Sequence, residues 1–97
     1  MKIFWTQNAK KQIIQIEEFI AEDNPSSAID FVEKLINTTE TLTKFPQKGR
    51  MVPEFSQTNI RELLYKNYRV VYLINNSKIE ILTIFEGHRL LRNGDVL

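Results

Sequence analysis

The side chains able to do chemistry in this 97-residue chain are few, and most of them are cationic. His88, the single histidine, stands beside Arg89 in the terminal run FEGHRLLRNGDVL, with Arg92 three residues on. Arg61 and Arg69 are set into NIRELLYKNYRVVYLI, Asn59 to Ile74, which otherwise reads as a buried β-hairpin. Lys48, Arg50 and Glu54 lie in the segment before it. Guanidinium groups gathered in this way recognise phosphate or carboxylate through paired N–H donors. With His88 and Glu54 as acid and base, the set suits cleavage of RNA through its own 2′-hydroxyl, a reaction that needs no cofactor. Tyr65, Tyr68 and Phe85 can stack on bases, and they fit a core equally well. The plain structural alternative pairs Arg61 with Glu62 or Glu80 and lets His88 do no more than end a strand.

Other chemistries find no support. The chain has no cysteine, which excludes disulfides and thiolate catalysis, and a zinc site would have to rely on one histidine and carboxylates. There is no nucleophile motif, Gly-rich phosphate loop or paired-carboxylate signature, so neither a cofactor nor a metal is expected. The length fits one domain, residues 1–97, burying roughly 65% of the unfolded chain's surface. It is too short for a cleft between two lobes, so a ligand must sit on a face or in a shallow groove. The opening MKIFWTQNAKK breaks its apolar run at Thr6, which fits neither a signal peptide nor a membrane span, and a soluble cytoplasmic protein is expected.

The net charge is only +1, yet the charges are sorted along the chain. From Glu17 to Glu40 there are seven acids against one base, Lys34; from Lys44 to Arg69 there are six bases against Glu54 and Glu62. Sorting of this kind gives a dipolar surface whose basic side attracts anions even when the sum is near zero. A solvated face with scattered counter-ions is the alternative that charge alone favours.

The elements that must position these residues follow from periodicity. Lys2 to Thr6 reads as a short strand, rich in β-branched and aromatic bulk. A first helix follows, capped by Thr6 or Asn8, with Ala9, Ile13, Ile16 and Ile20 on one stripe and Phe19 at its edge. Asn24 and Pro25 form an N-cap and first-turn pair for a second helix of about 18 residues, lined by Ala28, Phe31, Val32, Leu35, Thr39 and Leu42 and ended by Pro46. The short turn between the helices predicts an antiparallel helical hairpin. FPQKGRMVPEFSQTN reads as a surface loop, long enough to suggest function or mobility. Ile60 to Tyr65, Tyr68 to Ile74 and Lys78 to Phe85 then read as strands joined by tight KN and NNS turns.

The predicted order is β-α-α-β-β-β, an α+β fold with the helical hairpin packed on a small antiparallel sheet. Alternation puts Tyr68, Val70, Tyr72 and Ile74 on one face and Arg69, Val71 and Leu73 on the other. Both faces carry apolar residues. The helices cover one, so the second is expected to be half-exposed or covered by something outside this chain.

Four segments, NPSSAIDFVEKL, FPQKGRMVPE, IRELLYKNYRVVYLI and IEILTIFEGHRLL, together resemble the RelE/ParE superfamily of type II toxin–antitoxin toxins. The resemblance spans nearly the whole chain. It implies a growth inhibitor neutralised by a cognate antitoxin protein whose tail lies across the toxin, with operator DNA contacted only through that antitoxin and no membrane association. RelE-like members cut mRNA on the ribosome; ParE-like members poison DNA gyrase, in connection with plasmid stabilisation. Arg69 and Arg89 resemble the RNase members, but Ile60 and Glu62 stand where RelE places two lysines, and Asp95 or nothing stands where its C-terminal tyrosine acts. For the variant using Glu, Arg and His, the counterparts are Glu54, Arg69 and His88. NPSSA, GRMVPE, IREL and GHRLL are closer to ParE-like chains, which implies gyrase inhibition with no catalytic residues and target contacts at Arg50, Arg61, Arg69, His88 and Arg89. The mRNA endoribonuclease, with Arg69, Arg89, His88 and Glu54 as catalytic set and the ribosome and mRNA as partners, is the alternative. A non-toxic antitoxin-binding or autoregulatory partner is a third reading, suggested by Glu62 and the incomplete catalytic set.

Overall fold

A computed structural model of the chain describes residues 1–87. Its elements are β1 (Lys2–Trp5), α1 (Gln7–Ala21), α2 (Pro25–Glu40) with a 3₁₀ turn at Thr41–Thr43, β2 (Arg50–Met51), β3 (Ile60–Tyr65), β4 (Tyr68–Asn75) and β5 (Lys78–Glu86). The expected fold class holds. Both helices start where their caps require: the Thr6 hydroxyl accepts from the Ala9 amide, and the Asn24 side chain accepts from the Ser27 amide with Pro25 at the first turn.

The sheet runs β1-β5-β4-β3-β2 and is mixed. β3, β4 and β5 form the expected antiparallel meander, closed by the Lys66–Asn67 and Asn76–Ser77 turns. Two features refine the antiparallel expectation. β1 pairs in parallel with β5, Lys2 opposite Lys78 and Trp5 opposite Ile81, because the helical hairpin works as a crossover that returns the chain to the far edge. The long loop contributes a two-residue strand, β2, with Arg50 opposite Glu62 and Met51 opposite Arg61.

Helix packing follows the predicted stripes. Ala9 and Ile16 of α1, Leu35 of α2 and Leu42 of the 3₁₀ turn meet Leu63, Val70, Tyr72, Ile79, Ile81 and Ile84 in the main core. Phe31 sets its ring edge-on to Tyr65 and Tyr68, at centroid distances of 5.3 and 5.6 Å. Phe19, expected at the edge of its stripe, is exposed. A β-bulge interrupts the β4–β5 ladder: Val71 faces Thr83 but Tyr72 faces Ile81, which leaves Leu82 extra. The helix meets the groups this disturbs. Gln12 Oε1 accepts from the Ile84 amide at 2.7 Å and from the Thr83 hydroxyl at 3.0 Å, and the Thr6 hydroxyl donates to the Ile81 carbonyl at 2.7 Å.

The second face of the sheet departs from expectation. Part of the long loop folds back over it, placing Val52 and Phe55 against Ile60, Val71, Leu73, Leu82 and Phe85 in a separate small core. A turn at Val52–Ser56, with both Phe55 and Ser56 amides donating to the Val52 carbonyl at 3.1 Å, makes this return possible, and Ser56 adopts a left-handed backbone (φ 54°). The chain therefore covers much of that face itself. What stays open is the end nearest the β3–β4 turn, where Leu64 is 56% exposed.

Candidate functional site

At that open end, strand alternation and the β3–β4 register bring Glu62, Leu64 and Arg69 onto one face: Leu64 lies opposite Arg69, and Glu62 is the diagonal neighbour. Arg69 is almost wholly buried, at 5% exposure. Its Nε donates to Glu62 Oε1 at 2.7 Å, while Nη1 and Nη2 reach Glu54 Oε2 and Oε1 at 3.0 and 2.9 Å. The guanidinium carbon also sits 5.1 Å from the centre of the Phe85 ring. Hydrogen bonding to Glu54, opposed by burial and reinforced by Glu62, raises the Arg69 pKa above its already high ordinary value, so the group is a permanent cation.

Glu62 is a bridge. Its second oxygen, Oε2, accepts from Nε of Arg50 at 2.6 Å, and its own side chain has no exposed surface. Arg50, Glu62, Arg69 and Glu54 thus form one chain of charge-assisted bonds, two cations and two anions, that ties β2, β3, β4 and the loop together. Placed there, Glu62 offers no bare negative charge to repel a ligand. Its charge is met on both oxygens by arginine, Arg69 on Oε1 and Arg50 on Oε2.

Arg61 points to the opposite face. It binds neither Glu62 nor Glu80: Nη1 donates to the Gly49 carbonyl at 2.8 Å and Nε to the Thr58 carbonyl at 3.0 Å, holding both ends of the loop. Adjacent strand residues point to opposite sides, which is why Glu62 was never within its reach. Tyr72, directly across from Arg61, clamps the same loop: its hydroxyl donates to the Pro46 carbonyl at 2.7 Å and accepts from the Gly49 amide at 3.0 Å. Gly49 is required by this closeness, since a Cβ there would stand 2.5 Å from the Glu62 carbonyl oxygen and 2.6 Å from the Tyr72 hydroxyl.

The candidate residues are therefore distributed unevenly. Glu54 and Arg69 meet each other, Arg50 joins them through Glu62 and keeps its side chain 58% exposed, and Arg61 works on the far side of the loop. Lys48 donates to the Thr41 hydroxyl, away from this cluster. His88, Arg89, Arg92 and Asp95 lie outside the described residues. Sequence reasoning did not single out Gly49, Tyr72 or Lys66. The last lines a shallow groove with Arg50, Leu64, Asn67, Tyr68 and Pro53.

A two-helix, five-stranded domain with a loop strapped across its sheet by buried ion pairs is the frame into which the family comparison fits. Residues 3–91 match the ParE toxin family, the ParE toxin of the type II toxin–antitoxin system parDE, and the chain belongs to that family. Y4kP of Sinorhizobium fredii, a protein named as a candidate toxin, is 29% identical over 90 residues, covering 91% of this chain and 90% of its own. A chain from the structure described as the chromosomal ParDE TA system from P. aeruginosa superposes with a TM-score of 0.75 at 19% identity, covering 89% of this chain and 95% of the other. That likeness establishes the shared fold. The protein is a ParE-like toxin of a type II toxin–antitoxin system. Among the described residues, no helix is long and apolar enough to cross a membrane.

Proposed function

We propose that this toxin inhibits growth in the cytoplasm by acting on DNA gyrase, without catalysis of its own, and that a cognate antitoxin protein neutralises it. The observation that carries the choice of mechanism is the mutual engagement of Glu54 and Arg69. In an RNA-cleaving site the carboxylate must turn a lone pair to the 2′-hydroxyl and the guanidinium must turn its donors to the phosphate. Here the two groups satisfy each other, and Glu62 takes the remaining Nε donor of Arg69. A loop-holding role accounts for all three residues. Target contact then falls to the exposed Arg50, with Arg61 and Arg69 fixing the loop that carries it, and to His88 and Arg89.

Purified protein added to gyrase and supercoiled or relaxed plasmid tests the reading. Loss of supercoiling, or accumulation of gyrase-linked DNA breaks, is the expected result. New message ends on translating ribosomes, with gyrase unaffected, would replace it with RNA cleavage. Induced expression should arrest growth, and co-expression of a cognate antitoxin should restore it; normal growth without antitoxin would favour the non-toxic binding partner.

A further inference from the structure

We infer that Thr6 and Asn8, at the start of α1, are positioning residues for Arg69: by holding the β-bulge of β5 they decide which face of the sheet Phe85 takes, and so seat its ring against the guanidinium. The bulge leaves Leu82 extra, and its mark is that the carbonyls of Ile81 and Leu82, consecutive in the chain, are both met from the same edge of β5. In a regular strand, consecutive carbonyls point to opposite neighbours. β1 ends with Trp5 opposite Ile81, so side chains take over from the strand at this point. The Thr6 hydroxyl donates to the Ile81 carbonyl at 2.7 Å and to that of Leu82 at 3.2 Å, and Asn8 Nδ2 donates to the Leu82 carbonyl at 3.2 Å.

Burial alone does not choose this register. As observed, Ile81 and Ile84 enter the core beneath the helices, while Leu82 and Phe85 pack in the small core beneath the loop. Were the ladder to run on from Tyr72 and Ile81 without a bulge, Leu82 would stand opposite Val71, Thr83 opposite Val70, Ile84 opposite Arg69 and Phe85 opposite Tyr68. A one-residue slip carries every later side chain to the other face. The loop side would then hold Leu82 and Ile84, and the helix side Phe85, so each face still receives large apolar groups. The polar bonds separate the two arrangements, because the slip turns the Leu82 carbonyl toward β4 and away from Thr6 and Asn8.

The consequence reaches the site. In the observed register Arg69 lies opposite Phe85, its guanidinium carbon 5.1 Å from the ring centre, with Nε on Glu62, whose other oxygen holds Arg50. After a slip, isoleucine would replace the ring and the cation–π contact would be lost. The first turn of α1 thus sets the seat of a cation on the face that the loop covers. Only the further step, from that seat to the target-facing Arg50, rests on the gyrase reading.

The test is the side-chain NMR signal of Arg69 in the full-length protein. A ring this close shifts the guanidinium protons, and Phe85→Leu records their position without it. In Thr6→Asp/Asn8→Asp the carboxylate at position 6 can still cap the helix, and both charges suit its positive end, but neither can donate to Ile81 or Leu82 when ionised. A role confined to the helix predicts unchanged Arg69 signals. The bulge role predicts that they move toward the Phe85→Leu position or split, with a second peak there. Deleting Leu82 from this variant should return them, since without the extra residue the regular ladder puts Phe85 back opposite Arg69. Asn8 is exposed, so Asn8→Asp alone folds and should give a smaller shift in the same direction, which decides the matter if the double variant does not fold. Unmoved Arg69 signals would overturn the inference, as would equal movement in Ile16→Val, which weakens the packing of α1 without touching the bulge. So would a folded deletion variant in which the signals do not return. No step of the measurement involves gyrase, so failure of the gyrase reading and failure of this one are separately visible.

Discussion

Arg69 and Glu62 meet at 2.7 Å with almost no exposed side-chain surface on either, in a position where neighbouring strands of a small domain would ordinarily present apolar residues. Breaking such a pair from one side leaves the other buried charge with only its outer partner, Glu54 for Arg69 or Arg50 for Glu62, at a cost of up to about 3–5 kcal/mol, a large share of the roughly 5–15 kcal/mol that holds a domain of this size together. Glu62→Ala and Arg69→Met should each lower the unfolding free energy from urea titration by up to that amount. The double variant Glu62→Leu/Arg69→Met should be less destabilised than the sum of its singles. Additive losses would mean that the two side chains contribute independently.

Arg50 shares Glu62 but stands in water. Arg50→Gln should therefore change stability by less than about 1 kcal/mol, since Arg69 still neutralises the carboxylate and exposed ion pairs contribute little. Its effect should appear in growth arrest and gyrase inhibition. A variant equally stable and equally toxic would remove Arg50 from the target surface.

Gly49 and Tyr72 hold the loop from the other face. Gly49→Ala forces a methyl into the Glu62 carbonyl and the Tyr72 hydroxyl, and a loss of about 1–3 kcal/mol is expected. Tyr72→Phe removes a donor to Pro46 and an acceptor for Gly49, for a loss of similar size. Because both act on one contact, thermal unfolding of the double variant should show less than the summed loss.

Burial raises the Tyr72 pKa above its ordinary 10.0, with the Gly49 amide and the Arg61 charge opposing the shift in part. Burial, followed by Glu86, raises that of Tyr68 in the same direction. The folded phenols thus hold their protons more tightly than the unfolded ones. This contribution is fully present below the unfolded value and is lost as pH rises through the folded one. Urea unfolding across the alkaline range should show stability falling from about pH 10 upward. Tyr72→Phe should flatten the slope, and adding Tyr68→Phe should flatten it further.

Gln12 reaches from α1 to the β-bulge, where its oxygen serves both Ile84 and Thr83. Gln12→Leu leaves a buried amide unsatisfied, a cost of about 1–3 kcal/mol. Hydrogen exchange at Ile84 should accelerate beyond the change in global stability; unchanged relative protection would show that the bulge does not need the helix.

The helical hairpin and the meander were legible because each rests on local rules. Asn24-Pro25 starts α2 where expected, and β3 begins and ends at the expected residues, Ile60 and Tyr65. Mutual recognition between distant segments was not legible in the same way. The parallel partner of β1 depends on how the helical crossover returns, and β2 is two residues long, too short for any periodicity. For the site, alternation already put Arg69 on the face opposite Tyr68, Val70 and Tyr72, and Glu62 on the Arg69 face follows once the tight turn sets Leu64 opposite Arg69. A signal for their pairing was therefore present. Glu54 lies fifteen positions from Arg69, and only the fold-back at Val52–Ser56 brings it there, so nothing local announced it.

The parallel pairing of β1 with β5 joins Lys2–Trp5 to a strand made more than seventy residues later. A ribosome must release Lys78–Glu86 before Lys2–Trp5 has a strand to pair with, and until the same moment β4 has β3 on one side and nothing on the other. A prematurely terminated translation product is therefore missing the strand that both its edge and its centre require. A folded sheet thereby requires translation to have passed Glu86.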